Sequence, residues 1–353
     1  MPDDFYPAML ALFGAGVEPP ANWPASWDAA LATLPPGPPP FLRADFVREA
    51  AEFSAISEEL KTELLRAALV VKDDPLLSRV AWFLHRIYLG APRPGAAEIW
   101  HWPFNARPLP RRAALLPALV VLAGTTGLRE MHRARGIPDD VTRATLTDLE
   151  VWIRTFYRQH GYWGLQNLAW LSWHLRGELV RLGRLQFKYL PFPGPRVFRH
   201  KLTRKISLEP TDGEPVLAPG DLVIDIHIPE GGPMDFDACG AALRQAVEFL
   251  PKHLPTPAPP VAFYCCSWFL DPQYAQILPA NSNIVRFLRE FYLYPVPSDD
   301  REAFRRVFGE VPRDLATAPR DTALRRAMLD FKLAGGQLRY CAGFKLLAGW
   351  RWG

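Results

Sequence analysis

The sequence predicts an α/β (α+β) protein in two parts. An all-helical N-terminal domain over residues 1–143 is followed by a sheet domain flanked by helices over 144–353. Three observations carry this expectation. At 353 residues the chain exceeds one typical domain, so two are expected. Before about residue 140, apolar residues recur at helical spacing. Between Asp221 and Pro295 the order is strand, Gly-Gly turn, helix, strand, then a helix opened by Asn281, Ser282 and Asn283. A strand–helix–strand order implies parallel strands.

The helical part starts with Glu49–Val71, where Phe53, Ile56, Leu60, Leu64, Leu65 and Ala68 make one apolar face. Leu77–Leu89 predicts a second helix around Trp82, Phe83 and Ile87. Pro138–Asp139–Asp140 starts a third, running through Leu146, Leu149, Ile153 and Phe156. His85 and His101 read as ordinary, partly buried histidines. Leu165–Leu182 predicts a helix with a leucine stripe, ended by Gly183. Arg184–Tyr189 then alternates as a strand. Arg199, His200, Lys201, Arg204 and Lys205 follow, as either a solvated face or a phosphate contact.

In the next strand, Leu222–Ile228, Val223, Asp225 and His227 face one way and Ile224, Ile226 and Ile228 the other. A polar pair on a β-branched strand is costly to bury unless its face lines a site or is solvated. The turn Pro229–Glu230–Gly231–Gly232–Pro233 leads into a helix over Ala238–Leu250, capped by Asp235 or Asp237. Val261–Phe269 is the second strand. Later come at least two helices, the second capped by Asp321, and a last strand, Gln337–Leu347.

Composition removes several classes. A hydrophobic content of 49% with 22% charged residues is that of an ordinary globular protein. The net charge of +4 is too mild to argue for nucleic acid. The 37 prolines cluster in stiff connectors at Leu34–Pro40, Pro92–Pro94, Phe192–Pro195 and Pro251–Pro260. Four cysteines without a C-x-x-C spacing signal neither a disulfide framework nor a metal site, and the reducing cytoplasm fits best. The acidic start, Met1–Pro2–Asp3–Asp4, lacks a signal peptide's basic region. The longest apolar run, Ala113–Gly124, contains Pro117 and is too short to span a membrane. The oligomeric state is left open.

The segments WHLRGELVRLGRLQF, LVIDIHIPEGGPMD, FYCCSWFLDP and LPANSNIVRFLREF, within roughly Gly164–Pro295, carry a resemblance. The chain resembles a divergent bacterial group of acyltransferases with a helical N-acyltransferase N-terminal domain and a GNAT-like C-terminal domain. The resemblance implies a mixed β-sheet in which two neighbouring strands splay and hold the thioester arm of acyl-CoA, the expected co-substrate. It implies acyl transfer to a small-molecule acceptor, an amine or hydroxyl. It implies a base on the first splayed strand, often an acid, where Asp225 and His227 stand. The ordinary pKa of a histidine makes His227 the better base, with Asp225 orienting it or the substrate. The resemblance sets Tyr292 (or Tyr294) where a tyrosine protonates the thiolate. It sets Ile228, Pro229, Gly231, Gly232, Ser267, Trp268, Asn281 and Asn283 along the donor. Asn281 and Asn283 serve equally well as helix caps.

One departure matters. The usual Arg/Gln-x-x-Gly-x-Gly/Ala pyrophosphate loop is absent, and Glu230, Asp235 and Asp237 stand in its place. This favours an alternative, a degenerate member that binds CoA, an acyl compound or a protein partner without catalysis. Cys265 and Cys266 invite a nucleophile reading, but both fall in an apolar strand where burial raises a thiol pKa, so packing is favoured.

Overall fold

The computed structural model describes residues 5–14, 25–89, 108–209 and 213–353. Pro92–Pro94, His101 and the Met1–Asp4 start lie outside these described residues. Two compact units divide at Val180/Arg181 rather than near residue 143. The shift has a packing reason: Leu146, Leu149, Ile153, Leu165, Leu168, Leu171 and Leu175 all belong to the core of the helical unit.

That unit contains α1 (Phe5–Leu12), α2 (Ala25–Ala32), α3 (Ala44–Phe53), α4 (Glu58–Asp73), α5 (Pro75–Leu89), α6 (Leu116–Ala123), α7 (Thr125–Ala134), α8 (Asp139–Leu146), α9 (Asp148–His160) and α10 (Leu168–Leu175). The helix expected over Glu49–Val71 is two helices. Ala55 sits at φ +54, a conformation that ends α3, and α4 starts three residues later. The helix expected over Leu165–Leu182 stops at Leu175, because Gly177 turns the chain at φ +62. Helical structure over Arg111–Ala134 is long and apolar enough to cross a bilayer by length and composition. Its most apolar window is 67% buried, and Leu116–Leu122 forms the middle of the unit's core, the pattern of a core helix.

Two buried polar contacts fix helix pairs here. The Asp148 carboxylate accepts from Trp152 Nε1 (3.3 Å) and Trp170 Nε1 (2.5 Å) and lies 3.2 Å from His174 Nε2, joining α9 to α10. His132 on α7 is fully buried, with Nδ1 2.9 Å from Thr142 Oγ1 on α8. The Thr142 hydroxyl donates to Pro138 O, so it accepts from His132 and the proton sits on Nδ1.

The second unit holds a mixed six-stranded sheet in the order β1-β2-β6-β7-β9-β8 and a small sheet β4-β3-β5. The strands are β1 (Val180–Leu182), β2 (Leu185–Pro191), β3 (Val197–His200), β4 (Ile206–Ser207), β5 (Gly213–Leu217), β6 (Leu222–His227), β7 (Ala262–Ser267), β8 (Tyr292–Pro295) and β9 (Cys341–Leu346). Its helices are α11 (Phe236–His253), α12 (Tyr274–Ile277), α13 (Asn283–Leu288), α14 (Arg301–Phe308) and α15 (Ala323–Leu333). Asp235 caps α11, accepting from Ala238 N. The cap of α15 is Thr322, not Asp321, which pairs with Arg325 instead. The buried Asp271 carboxylate accepts from the backbone of Gln273 and Arg339 and ties the end of β7 to the approach to β9.

Burial holds the His132 imidazole down at about 4, with Arg135 adding to the effect. The unfolded chain binds that proton near 6.5, so it holds more protons than the native state between these values. The helical unit should therefore lose about 3 kcal/mol as pH falls from about 6.5 to about 4. Denaturant melts across that window should show the slope, and His132→Leu should flatten it. An unchanged slope would assign the acid sensitivity to other groups.

Candidate active site at the parting of two parallel strands

Strand β6 bonds to β2 along its whole length, from Pro191↔Leu222 to Gln186↔His227. Its parallel pairing with β7 covers Val223↔Ala262, Ile224↔Phe263 and Asp225↔Tyr264, and then stops. Beyond that point β7 continues against β9 as far as Ser267↔Cys341. A gap therefore opens between Ile226–His227 and Cys265–Ser267, at the C-terminal ends of two parallel neighbours.

The register sorts side chains onto one face in rows. Lys188, Asp225, Tyr264, Phe344 and Tyr292 form a row across the sheet at the last paired position. The next row is broken by the gap, with Gln186 and His227 on one side and Cys266, Ala342 and Tyr294 on the other. Deeper along the strands the same face is apolar, where Val223, Ala262 and Phe344 pack with Phe192, Val197 and Leu217. The opposite face carries the buried Phe187, Ile224, Ile226, Phe263 and Cys265.

Asp225 is buried, and its Oδ2 lies 2.9 Å from His227 Nε2 and 3.8 Å from Lys188 Nζ. Burial of a carboxylate requires such partners. The His227 side chain keeps 24% of its surface exposed, enough to meet a substrate. Across the gap, burial first and the neighbouring Cys266 second raise the Tyr264 phenol, and burial pushes Tyr294 up to about 12. Both remain neutral O–H groups at neutral pH. Burial raises the Cys265 thiol; Cys266 is exposed, but partial desolvation and the nearby Asp225 raise its thiol too, so neither ionises readily to the nucleophilic form.

The loop after β6 continues the site. Pro229 and Pro233 carbonyls accept from Arg184 at 3.1 and 3.0 Å, which pins both ends of the turn. Between them Gly231 (φ +92) and Gly232 (φ +75) take the left-handed backbone that the turn requires, exposed and with open space around them. The acids around this loop are all engaged. Glu230 pairs with Arg306 at 2.8 Å, Asp235 caps α11, and Asp237 lies 3.7 Å from Arg286.

Asp225 and His227 share one face at the end of β6, and Ile228, Pro229, Gly231 and Gly232 follow them in the turn toward α11. Tyr292 shares the Asp225 face but is half exposed at the sheet edge, stacked on Phe344 with ring centroids 5.4 Å apart. Ser267 lies on the other face and caps a 3-10 turn by accepting from Phe269 N. Trp268 is buried, stacked on Phe269. Asn281 and Asn283 are exposed, and Ser282, not either asparagine, caps α13. Arg199 and Lys201 sit on β3 and its exposed turn. Sequence reasoning missed Gln186, Lys188 and Tyr264. Clean alternation in RLQFKY put Gln186 and Lys188 on one face, but the strand that face meets is not written locally.

In comparison with known proteins, residues 45–177 match the N-acyltransferase N-terminal domain and residues 179–345 the GNAT-like C-terminal domain. The chain belongs to the two-domain N-acyltransferase family that these domains define. Among solved structures it is similar to a mutant acyltransferase in complex with octanoyl-CoA, at 27% identity and a TM-score of 0.72, covering 96% of this chain and 98% of that one. It is also similar to an acyltransferase in complex with decanoyl-CoA and teicoplanin, and to one with CoA and 10C-teicoplanin. Both are 26% identical with TM-scores of 0.69, over 96% of this chain and 98% of theirs. A search of curated proteins gives no match.

Gly194 marks how tightly this site is built. A Cβ there would fall inside the Tyr294 phenol and the Phe192 ring. Gly194→Val should therefore destabilise the sheet unit by about 1–3 kcal/mol in denaturant melts. Adding Tyr294→Phe should recover part of that loss, because the displaced hydroxyl is gone. Strict additivity of the two changes would contradict the contact.

Proposed function

We propose that this protein is an enzyme, an acyl-CoA-dependent acyltransferase acting on the amine or hydroxyl of a small-molecule acceptor. The observation that carries this reading is the Asp225–His227 pair at the mouth of the gap between β6 and β7. The similar structures bound to octanoyl-CoA, decanoyl-CoA or CoA, two of them also with teicoplanin or 10C-teicoplanin, support a thioester donor and a small-molecule acceptor.

In this reading the thioester arm lies between the parted strands. The acceptor nitrogen or oxygen attacks the thioester carbonyl carbon while His227 takes its proton. Asp225 holds the imidazole, and Lys188 balances the Asp225 charge. As the C–S bond breaks, a phenol on this face protonates the departing thiolate. Tyr292, half exposed, and Tyr294, kept neutral by burial, are the two candidates. The exposed Gly231–Gly232 turn at the start of α11 offers backbone to the CoA phosphates, and the partners of Glu230, Asp235 and Asp237 offset the acidity around it. Ser267, Asn281 and Asn283 remain proposed donor contacts further along the arm. The four free thiols accord with a reducing, cytoplasmic setting.

With decanoyl-CoA and an amine acceptor, His227→Ala should lower kcat roughly 100-fold or more. The donor KM should hardly move, since the base acts on the acceptor. Asp225→Asn should cost less, about tenfold, because it disturbs only the orientation of the imidazole. Cys266→Ser should turn over normally. Full activity in His227→Ala would defeat this mechanism. Tight CoA binding with no transfer to any acceptor would favour a binding protein instead.

A further inference from the structure

Gln186 is fully buried, and neither its Oε1 nor its Nε2 meets a hydrogen-bond partner among the described residues. It lies on β2 directly opposite His227 and shares a face with Lys188, whose ammonium reaches Asp225. A primary amide brings two N–H donors and a carbonyl acceptor, and an apolar side chain would satisfy the strand with no such demand. An amide buried and unmet one strand away from a candidate base points to a group that arrives from outside.

Strand order decides which group. In the reading above, the donor arm occupies the gap between β6 and β7. Strand β2 flanks β6 on the opposite side. Gln186 therefore borders His227 on the side away from the thioester. A single amine or hydroxyl is already engaged by His227, so a second polar group must meet the amide.

We infer that Gln186 is an acceptor-binding residue. Its amide both donates to and accepts from a hydroxyl or similar group on the carbon next to the attacking nitrogen or oxygen. The acceptor class is then a polyfunctional amine or alcohol, of the 1,2-amino alcohol type, and not a simple alkyl amine. The inference rests on the acyltransferase reading for the reaction, but not for the binding preference itself.

The test pairs 2-aminoethanol with propylamine, which have the same number of heavy atoms, using decanoyl-CoA as donor. Wild type should favour the amino alcohol in kcat/KM by about tenfold or more. Gln186→Met keeps the length and removes the polar atoms. It should bring the ratio near one, leave the decanoyl-CoA KM unchanged, and melt at the same temperature or higher. A structural glutamine would behave in the opposite way, with a lower Tm and equal losses for both amines, and that result would overturn the assignment. So would a ratio unchanged in Gln186→Met.

Binding is also read without turnover, as the rise in Tm on adding 2-aminoethanol. If wild type transfers to neither amine, the acyltransferase reading fails. The Gln186 assignment then stands if that rise is present in wild type and absent in Gln186→Met, and falls if the two proteins respond alike.

Discussion

The sheet unit depends on one departure from regular pairing. β6 and β7 run parallel and bond to each other through Asp225↔Tyr264, then stop, while each keeps its outer partner. Backbone N–H and C=O groups demand partners, so two strands that part in mid-sheet leave a demand that the fold does not meet between them. An extended ligand carrying amides is suited to lie in such a gap, because it offers the same groups as a missing strand. The outer strands hold the gap open: β2 fixes the position of β6 along six residues, and β9 fixes β7 along six.

Around that gap the polarity of the face changes within two residues. Val223 is core, Asp225 is a buried ion, and His227 is part-exposed, all on one side of one strand. Asp225 is sustained there by His227 on its own strand and by Lys188 facing it from β2. Removing one partner from such a buried set leaves an uncompensated charge, at about 3–5 kcal/mol, whereas replacing the set with apolar residues is often neutral. The polar set is thus poorly explained by stability alone. Gln186, buried with an unmet amide in the next row, repeats the argument without any charge.

Much of this was legible in the sequence, and the limits have physical causes. Period-two alternation in LVIDIHI put Asp225 and His227 on one face, and the strand–helix–strand order gave the parallel pair. The Gly-Gly turn, and a cap at either Asp235 or Asp237, followed from local chemistry; the exposure of Cys266 in an otherwise apolar strand did not. Lys188 and Gln186 did not, because β2 reaches β6 only after the chain detours through β3, β4 and β5, and such non-local pairing leaves no local pattern. The break at Ala55 was hidden too. An alanine at positive φ carries no composition signal, and the apolar periodicity runs straight through it.

The acids near the start of α11 show why a motif's absence must be weighed with partners in hand. From sequence, Glu230, Asp235 and Asp237 repel a phosphate at that helix terminus. In the fold, Arg306 holds Glu230 while also bonding Glu302, and Arg286 lies near Asp237 while resting 3.8 Å above the Phe236 ring. Arg184 pins the turn through two carbonyls and keeps its own charge beside the loop. Glu230 and Asp237 thus each have an arginine beside them, and Asp235 is engaged as the helix cap. What distinguishes the loop is its backbone: two exposed left-handed glycines between two pinned prolines. Under the acyl-CoA reading proposed above, a loop of that kind would meet a phosphate through N–H groups and shape more than through net charge, without the familiar phosphate motif.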